Sequence, residues 1–150
     1  IQAADDCYPI NDFGVEDILT PKYADDQIPI GDICDKNGFW SDMEKTRRRL
    51  VDLGLPTHNW ETHTPRYYDF ARYNALVEEH DLRHQSYVVE NLYFNTYAPD
   101  CALHLLPDNH LLQRLETQHE VIDPTRIWLS NSRRGWTDNL ENFLKSHFNV

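Results

Sequence analysis

Only two stretches of this sequence have the apolar, β-branched character of buried strands. They are Ile1-Gln2-Ala3-Ala4, running on into Cys7-Tyr8-Pro9-Ile10, and Arg126-Ile127-Trp128-Leu129-Ser130. Between and after them the apolar residues recur mostly at helical spacing. The chain therefore reads as an α/β protein with few strands flanked by about four to five helices. One domain over 1–150 fits its length of 150 residues. Hydrophobic residues make up 40% of it, including four Trp, eight Tyr and six Phe, enough to bury a core without disulfide staples.

The helices have recognisable ends. Ser41 and Glu44 have the spacing of a capping box, and Met43, Leu50 and Val51 mark the apolar face that follows. Gly54 and Pro56 close that helix. A second helix is expected from Asp69 to His80, with Phe70, Tyr73, Leu76 and Val77 inward. Tyr87 to Tyr97 reads as a third, although its β-branched start also suits a strand. Leu111 to His119 reads as a short helix. The last begins near Thr137, a good N-cap, with Leu140, Phe143, Leu144 and Phe148 inward. Residues 11–38 read as a long loop with a small hairpin around Gln27 to Ile33.

The net charge of -11 sets the class of partner. Such a field repels nucleic-acid backbones and anionic membrane surfaces, and it suits a cation that in turn holds an anionic ligand. The main basic run, Lys45-Thr46-Arg47-Arg48-Arg49, lies on a helix. Its three arginines fan over about 200° at roughly 100° per residue, which reads as a solvated face. No apolar run is long enough to span a bilayer. Without a leader, a cytoplasmic location is expected. The start without Met, directly on apolar sequence, implies further sequence upstream. Cys7, Cys34 and Cys101 show no CxxC pairing and read as buried, reduced thiols.

Chemistry concentrates at four places. Asp5-Asp6 follows the first apolar stretch, at the expected C-terminal edge of a strand, where α/β proteins bind ligands. Adjacent strand side chains point to opposite faces, so the pair converges only if the backbone turns there. Carboxylate oxygens suit Mg²⁺ or Mn²⁺; a strand-closing turn is the simpler reading. Trp60-Glu61-Thr62-His63-Thr64-Pro65-Arg66 joins two helices. His63 is a candidate third metal ligand or catalytic contact, and Trp60 a stacking wall for a sugar, against the plainer readings of loop histidine and core tryptophan. Glu90, in an apolar stretch, is a candidate general base. Asn91 and Asn95 share a helix face from which they could read hydroxyls. Arg133 and Arg134, between a strand and a helix start, are candidate phosphate contacts. No GxxxxGK[ST], GxGxxG or GxSxG is present, which removes the main support for P-loop, dinucleotide-binding and α/β-hydrolase readings.

In this order (strand ending in Asp-Asp, helix rich in Thr and Arg, His63-Thr64-Pro65, Asn91-Leu92-Tyr93-Phe94-Asn95, strand ending in Ser130-Asn131, amphipathic helix) the sequence resembles the C-terminal part of GT-A-type glycosyltransferases and Stealth-type sugar-phosphate transferases of bacterial capsule synthesis and related phage proteins. The resemblance implies a partial GT-A-like fold that forms the metal-site and acceptor-binding part of a longer domain. It implies a nucleotide-sugar donor, a hydroxyl acceptor and Mn²⁺ or Mg²⁺. Asp5 and Asp6 would then match the metal and donor motif, with His63 as a third ligand or catalytic contact. On the residues' own chemistry, Trp60 and Tyr67 or Tyr68 would line the sugar cleft, and Arg133 would help hold the donor. The position before the acidic pair departs from the family pattern, being Ala4. Two alternatives stand beside transfer of the sugar itself: transfer of a sugar phosphate at the same carboxylates, and a carbohydrate- or protein-binding module without catalysis.

Overall fold

The computed structural model describes residues 6–30, 38–98, 100, 103–104, 111–117 and 119–149. The protein is mixed α/β. Among these residues its elements are β1 (Cys7–Pro9), α1 (Val15–Leu19), β2 (Lys22–Tyr23), α2 (Phe39–Asp52), α3 (Phe70–Glu79), α4 (Val89–Tyr97), β3 (Leu103–His104), β4 (Leu112–Leu115), β5 (Trp128–Asn131) and α5 (Asp138–Phe148). They fall into two compact units where the sequence reads as one. The first comprises residues 1–19, 63–66 and 106–150, the second residues 20–62 and 67–105.

The first unit is built on a three-stranded sheet in the order β1-β5-β4. β1 runs antiparallel to β5, with Cys7 opposite Ser130 and Pro9 opposite Trp128. β4 runs parallel to β5, with Arg114 opposite Ser130 and Leu115 opposite Asn131. Side chains alternate across a sheet, so this register separates two faces. One carries Tyr8, Leu129 and Leu115. There Ile10, Leu115, Leu129, Leu140 and Leu144 form an apolar core that includes the inner face of α5. The other carries Cys7, Ser130 and Arg114 and is polar towards the C-terminal ends of β4 and β5. Thr137 caps α5, its side chain accepting from the Leu140 amide, as its sequence position predicts. Phe143 is only partly buried and Phe148 is exposed, so the inward stripe is narrower than expected. Leu112–Leu115 is a strand where the spacing of its leucines predicts a helix. Gly135 sits where a Cβ would come within 2.1 Å of the Leu115 carbonyl oxygen, so the turn before α5 closes on β4 only with glycine.

The second unit is helical, with a two-stranded parallel pair of β2 and β3. Its core gathers Met43 and Leu50 of α2, Leu76 of α3 and Leu92, Tyr93 and Phe94 of α4 around Ile28, Trp60 and Val88. α2 begins earlier than its capping-box spacing predicts. Gly38 is the N-cap and makes no side-chain cap bond, while Glu44 turns instead to Arg47 and Arg48. Gly54, at φ 68°, takes the left-handed turn just past the helix that its sequence predicts. Asp69 caps α3, accepting from the Arg72 amide. Phe70 is 79% exposed rather than inward, because at the first position of α3 the buried face is carried by Leu76. The 87–97 segment is helical from Val89, and the Val88 amide before it donates to Thr46 Oγ1 of α2. Within the expected loop, α1 forms a short helix. Gln27 to Ile30 is not a strand, and the rest of the expected hairpin lies outside the described residues.

Candidate functional site

The polar face of the first unit's sheet brings together side chains from four separate stretches. Asp6 lies in the turn that leads into β1, beside the C-terminal ends of β4 and β5. The Asp6 carboxylate has one oxygen, Oδ1, 3.2 Å from Nδ1 of His63 and the other, Oδ2, 3.2 Å from Nη1 of Arg114. Arg114 Nη1 also donates to Ser130 Oγ at 3.0 Å, and its Nε to Glu116 Oε1 at 2.6 Å. The register explains the grouping: Arg114 and Cys7 both stand opposite Ser130, so β4, β5 and the start of β1 present one row. Asp6 and His63 are each 23% exposed in their side chains, so the pair is half-sheltered and open to a ligand.

His63 has φ 54°, left-handed backbone in a residue with a Cβ. Its neighbours hold it there: Thr62, Thr64 and Pro65 are all buried. Such backbone costs roughly 1–2 kcal/mol and persists where the surroundings over-determine it, often at functional sites. Cys7, on the same face, has its thiol pushed up to about 12, first by burial and then by the Asp6 charge, with Arg66 pulling the other way. Cys7 is partly rather than fully buried, and a thiol with so high a pKa stays protonated.

The other expected site residues are placed differently. Asp5 lies outside the described residues. Trp60 is 1% exposed, with its ring stacked on Phe94 at 5.1 Å and Tyr23 against its edge, so it is a core residue and not a wall for a sugar. Tyr68 also packs into that core, while Tyr67 is exposed. Glu90 is half-buried in the first turn of α4. It belongs to the second unit, as His63 does not. Asn91 and Asn95 share a face of α4 as expected, but both are fully buried and their amides hold backbone. Asn91 Oδ1 accepts from the Trp60 amide, and Asn95 binds both the amide and the carbonyl of His58. Arg133 and Arg134 are exposed in the turn before α5.

Arg114 has no counterpart among the residues singled out from sequence. Its place opposite Ser130 comes from the parallel pairing of β4 with β5, which Leu112-Gln113-Arg114-Leu115 does not signal locally. Asp6 and His63 supply two donors about as far apart as two neighbouring ligands of one Mg²⁺ or Mn²⁺, which at bonds of roughly 2.1 Å stand about 3 Å from each other. Among the described residues no group of three or more His, Cys, Asp or Glu forms a complete metal cage. A site of one or two carboxylates completed by a substrate's phosphate oxygens is the usual arrangement for Mg²⁺, and Asp6 offers one carboxylate, with its two oxygens on His63 and Arg114. Among the described residues no helix is long and apolar enough to cross a membrane. No known protein family, no curated protein and no solved structure matches the chain.

Proposed function

We propose that this chain carries the metal-site and acceptor part of a glycosyltransferase with a GT-A-like frame, moving a sugar from a nucleotide-sugar donor to a hydroxyl. The observation that carries the reading is the convergence of Asp6 and His63, 57 residues apart in sequence, at 3.2 Å with Arg114 alongside. Asp6 orients the His63 ring through Nδ1, and Nε2 is the nitrogen that would take a proton from an acceptor hydroxyl. The acceptor oxygen then bonds to the anomeric carbon as the bond from that carbon to the diphosphate oxygen breaks. The Arg114 guanidinium, already fixed by Asp6, Ser130 and Glu116, offers charge to the departing diphosphate. Mn²⁺ or Mg²⁺ held by Asp6 and His63 would supply further neutralisation of that diphosphate. His63 is then ligand or base but not both at once, and the proposal gives it the base role whenever Asp6 alone holds the cation.

Arg114 also favours a second reading. A guanidinium at the attacked group suits transfer of the sugar phosphate itself, with the acceptor oxygen bonding to phosphorus and a nucleoside monophosphate leaving. One experiment separates the two. The protein is incubated with a panel of nucleotide-sugars, with Mn²⁺ or with chelator, and the released nucleotides are separated by chromatography. Nucleoside diphosphate supports sugar transfer, and nucleoside monophosphate supports sugar-phosphate transfer. In either case His63→Gln should lower the rate by about 100-fold. No nucleotide release from any donor by well-folded protein would overturn both readings.

A further inference from the structure

The basic run on α2 does not behave as a uniformly solvated face. Ser41, Lys45, Arg48, Arg49 and Asp52 share one side of the helix and, with Glu44 and Tyr87, line an open cavity of about 660 Å³ in the second unit. Arg47 turns to Glu44 at 3.2 Å. The cations of the cleft are each fixed by contacts that leave donors over. Lys45 Nζ donates to Gln85 Oε1 at 2.8 Å and lies 4.7 Å above the Tyr87 ring centre. Arg48 uses Nε on Glu44 Oε1 at 2.7 Å, and Arg49 uses Nε on Nδ1 of His80 at 3.3 Å. The terminal nitrogens of both forks remain for a ligand. The His80 side chain is 1% exposed, and burial lowers its ionisation, opposed by the Glu79 charge and helped to a lesser degree by Arg49. Glu44 is matched by Arg47 and Arg48, which hold its carboxyl below the usual range.

We propose that this cleft binds a small phosphate ester of a polyhydroxy compound, the phosphate on Lys45, Arg48 and Arg49 and the hydroxyls towards Ser41 and Asp52. A cavity of this size takes a sugar phosphate or a nucleotide. A polyanion such as nucleic acid is disfavoured because the chain's net charge of -11 repels it, whereas one or two phosphates see mainly the local cations. The site lies within the second unit and does not rest on the transfer chemistry of the first.

Isothermal titration of the intact 150-residue chain tests it, with inorganic phosphate, glucose 6-phosphate, uridine diphosphate and glucose as probes. The phosphate-bearing probes should bind and glucose should not. Tighter binding of uridine diphosphate marks a nucleotide site, and tighter binding of glucose 6-phosphate marks a sugar-phosphate site. Arg48→Gln and Arg49→Gln should each weaken binding at least about fivefold. Arg83→Gln removes the same charge from a surface pair with Glu78 and should leave it unchanged. Arg48 is 72% exposed in its side chain, so its variant keeps the test decisive even if Arg49→Gln disturbs the fold through His80. Absence of binding by every phosphate probe, or equal weakening by Arg83→Gln, would overturn the proposal.

Discussion

The two units use polar side chains in opposite ways. In the second, Asn91 and Asn95 are fully buried on α4 and bind the backbone of residues 58–60, so their hydrogen bonds set where that loop and Trp60 lie. In the first, Asp6, His63, Arg114 and Ser130 bind one another, side chain to side chain, at the half-sheltered edge of a small sheet. A buried amide that holds backbone is part of the fold, and removing it strands donors and acceptors that water cannot reach. A partly exposed charged cluster can exchange its internal bonds for a ligand at modest cost. The contrast separates residues that resemble a binding site in sequence from those that form one in space.

The largest effect should fall on the second unit. Asn95→Leu leaves the His58 amide and carbonyl without their side-chain partner, and should lower stability by about 3 kcal/mol in chemical denaturation. A loss under about 1 kcal/mol would break the comparison. Gly135→Ala should cost about 2 kcal/mol, because its Cβ would meet the Leu115 carbonyl. That result would show that the first unit's stability lies in its backbone packing rather than in its charged cluster. Asp6→Asn should shift stability by less than about 1 kcal/mol while nearly abolishing nucleotide release. His63→Gly should also be close to neutral in stability, since relief of the left-handed backbone offsets the lost contact with Asp6.

A pH titration sharpens the same comparison in the second unit. His80 ionises lower in the folded protein than its usual 6.5, with burial as the main cause. As pH falls through about 6.5 the unfolded chain takes up that proton first, so stability declines from there towards the lower folded value. His80→Asn should flatten this part of the profile, measured by unfolding at pH 7.5 to 5. An unchanged slope would show that His80 is not held neutral. The smallest effect concerns Cys7. With its thiol pushed up to about 12, its labelling at pH 8, followed by mass spectrometry, should be slow until the protein unfolds.

Much of the helical framework was legible because its signals are local. Asp69 and Thr137 act as N-caps and Gly54 as a helix-ending glycine, each readable from a few neighbouring residues. β4 was not legible: Leu111, Leu112 and Leu115 have helical spacing, and only the long-range parallel pairing with β5 makes the segment a strand. That one misreading also hid Arg114, whose place opposite Ser130 exists only in the sheet. His63 and Asp6 stood out through residue chemistry, but their meeting depends on a loop whose left-handed turn no local rule assigns to histidine. Trp60 and the two asparagines had the right chemistry for a sugar site, and burial, a property of the whole core, gave them another role.

The most direct test of the account is where an activated donor's diphosphate sits when Mn²⁺ is present. Amide resonances of the intact chain are followed by NMR with uridine diphosphate and substoichiometric Mn²⁺, whose unpaired electrons broaden nearby signals. The account predicts selective broadening of the Asp6, His63, Arg114 and Ser130 amides, lost in Asp6→Asn. Broadening that spares these four residues, or that persists unchanged in Asp6→Asn, would contradict it.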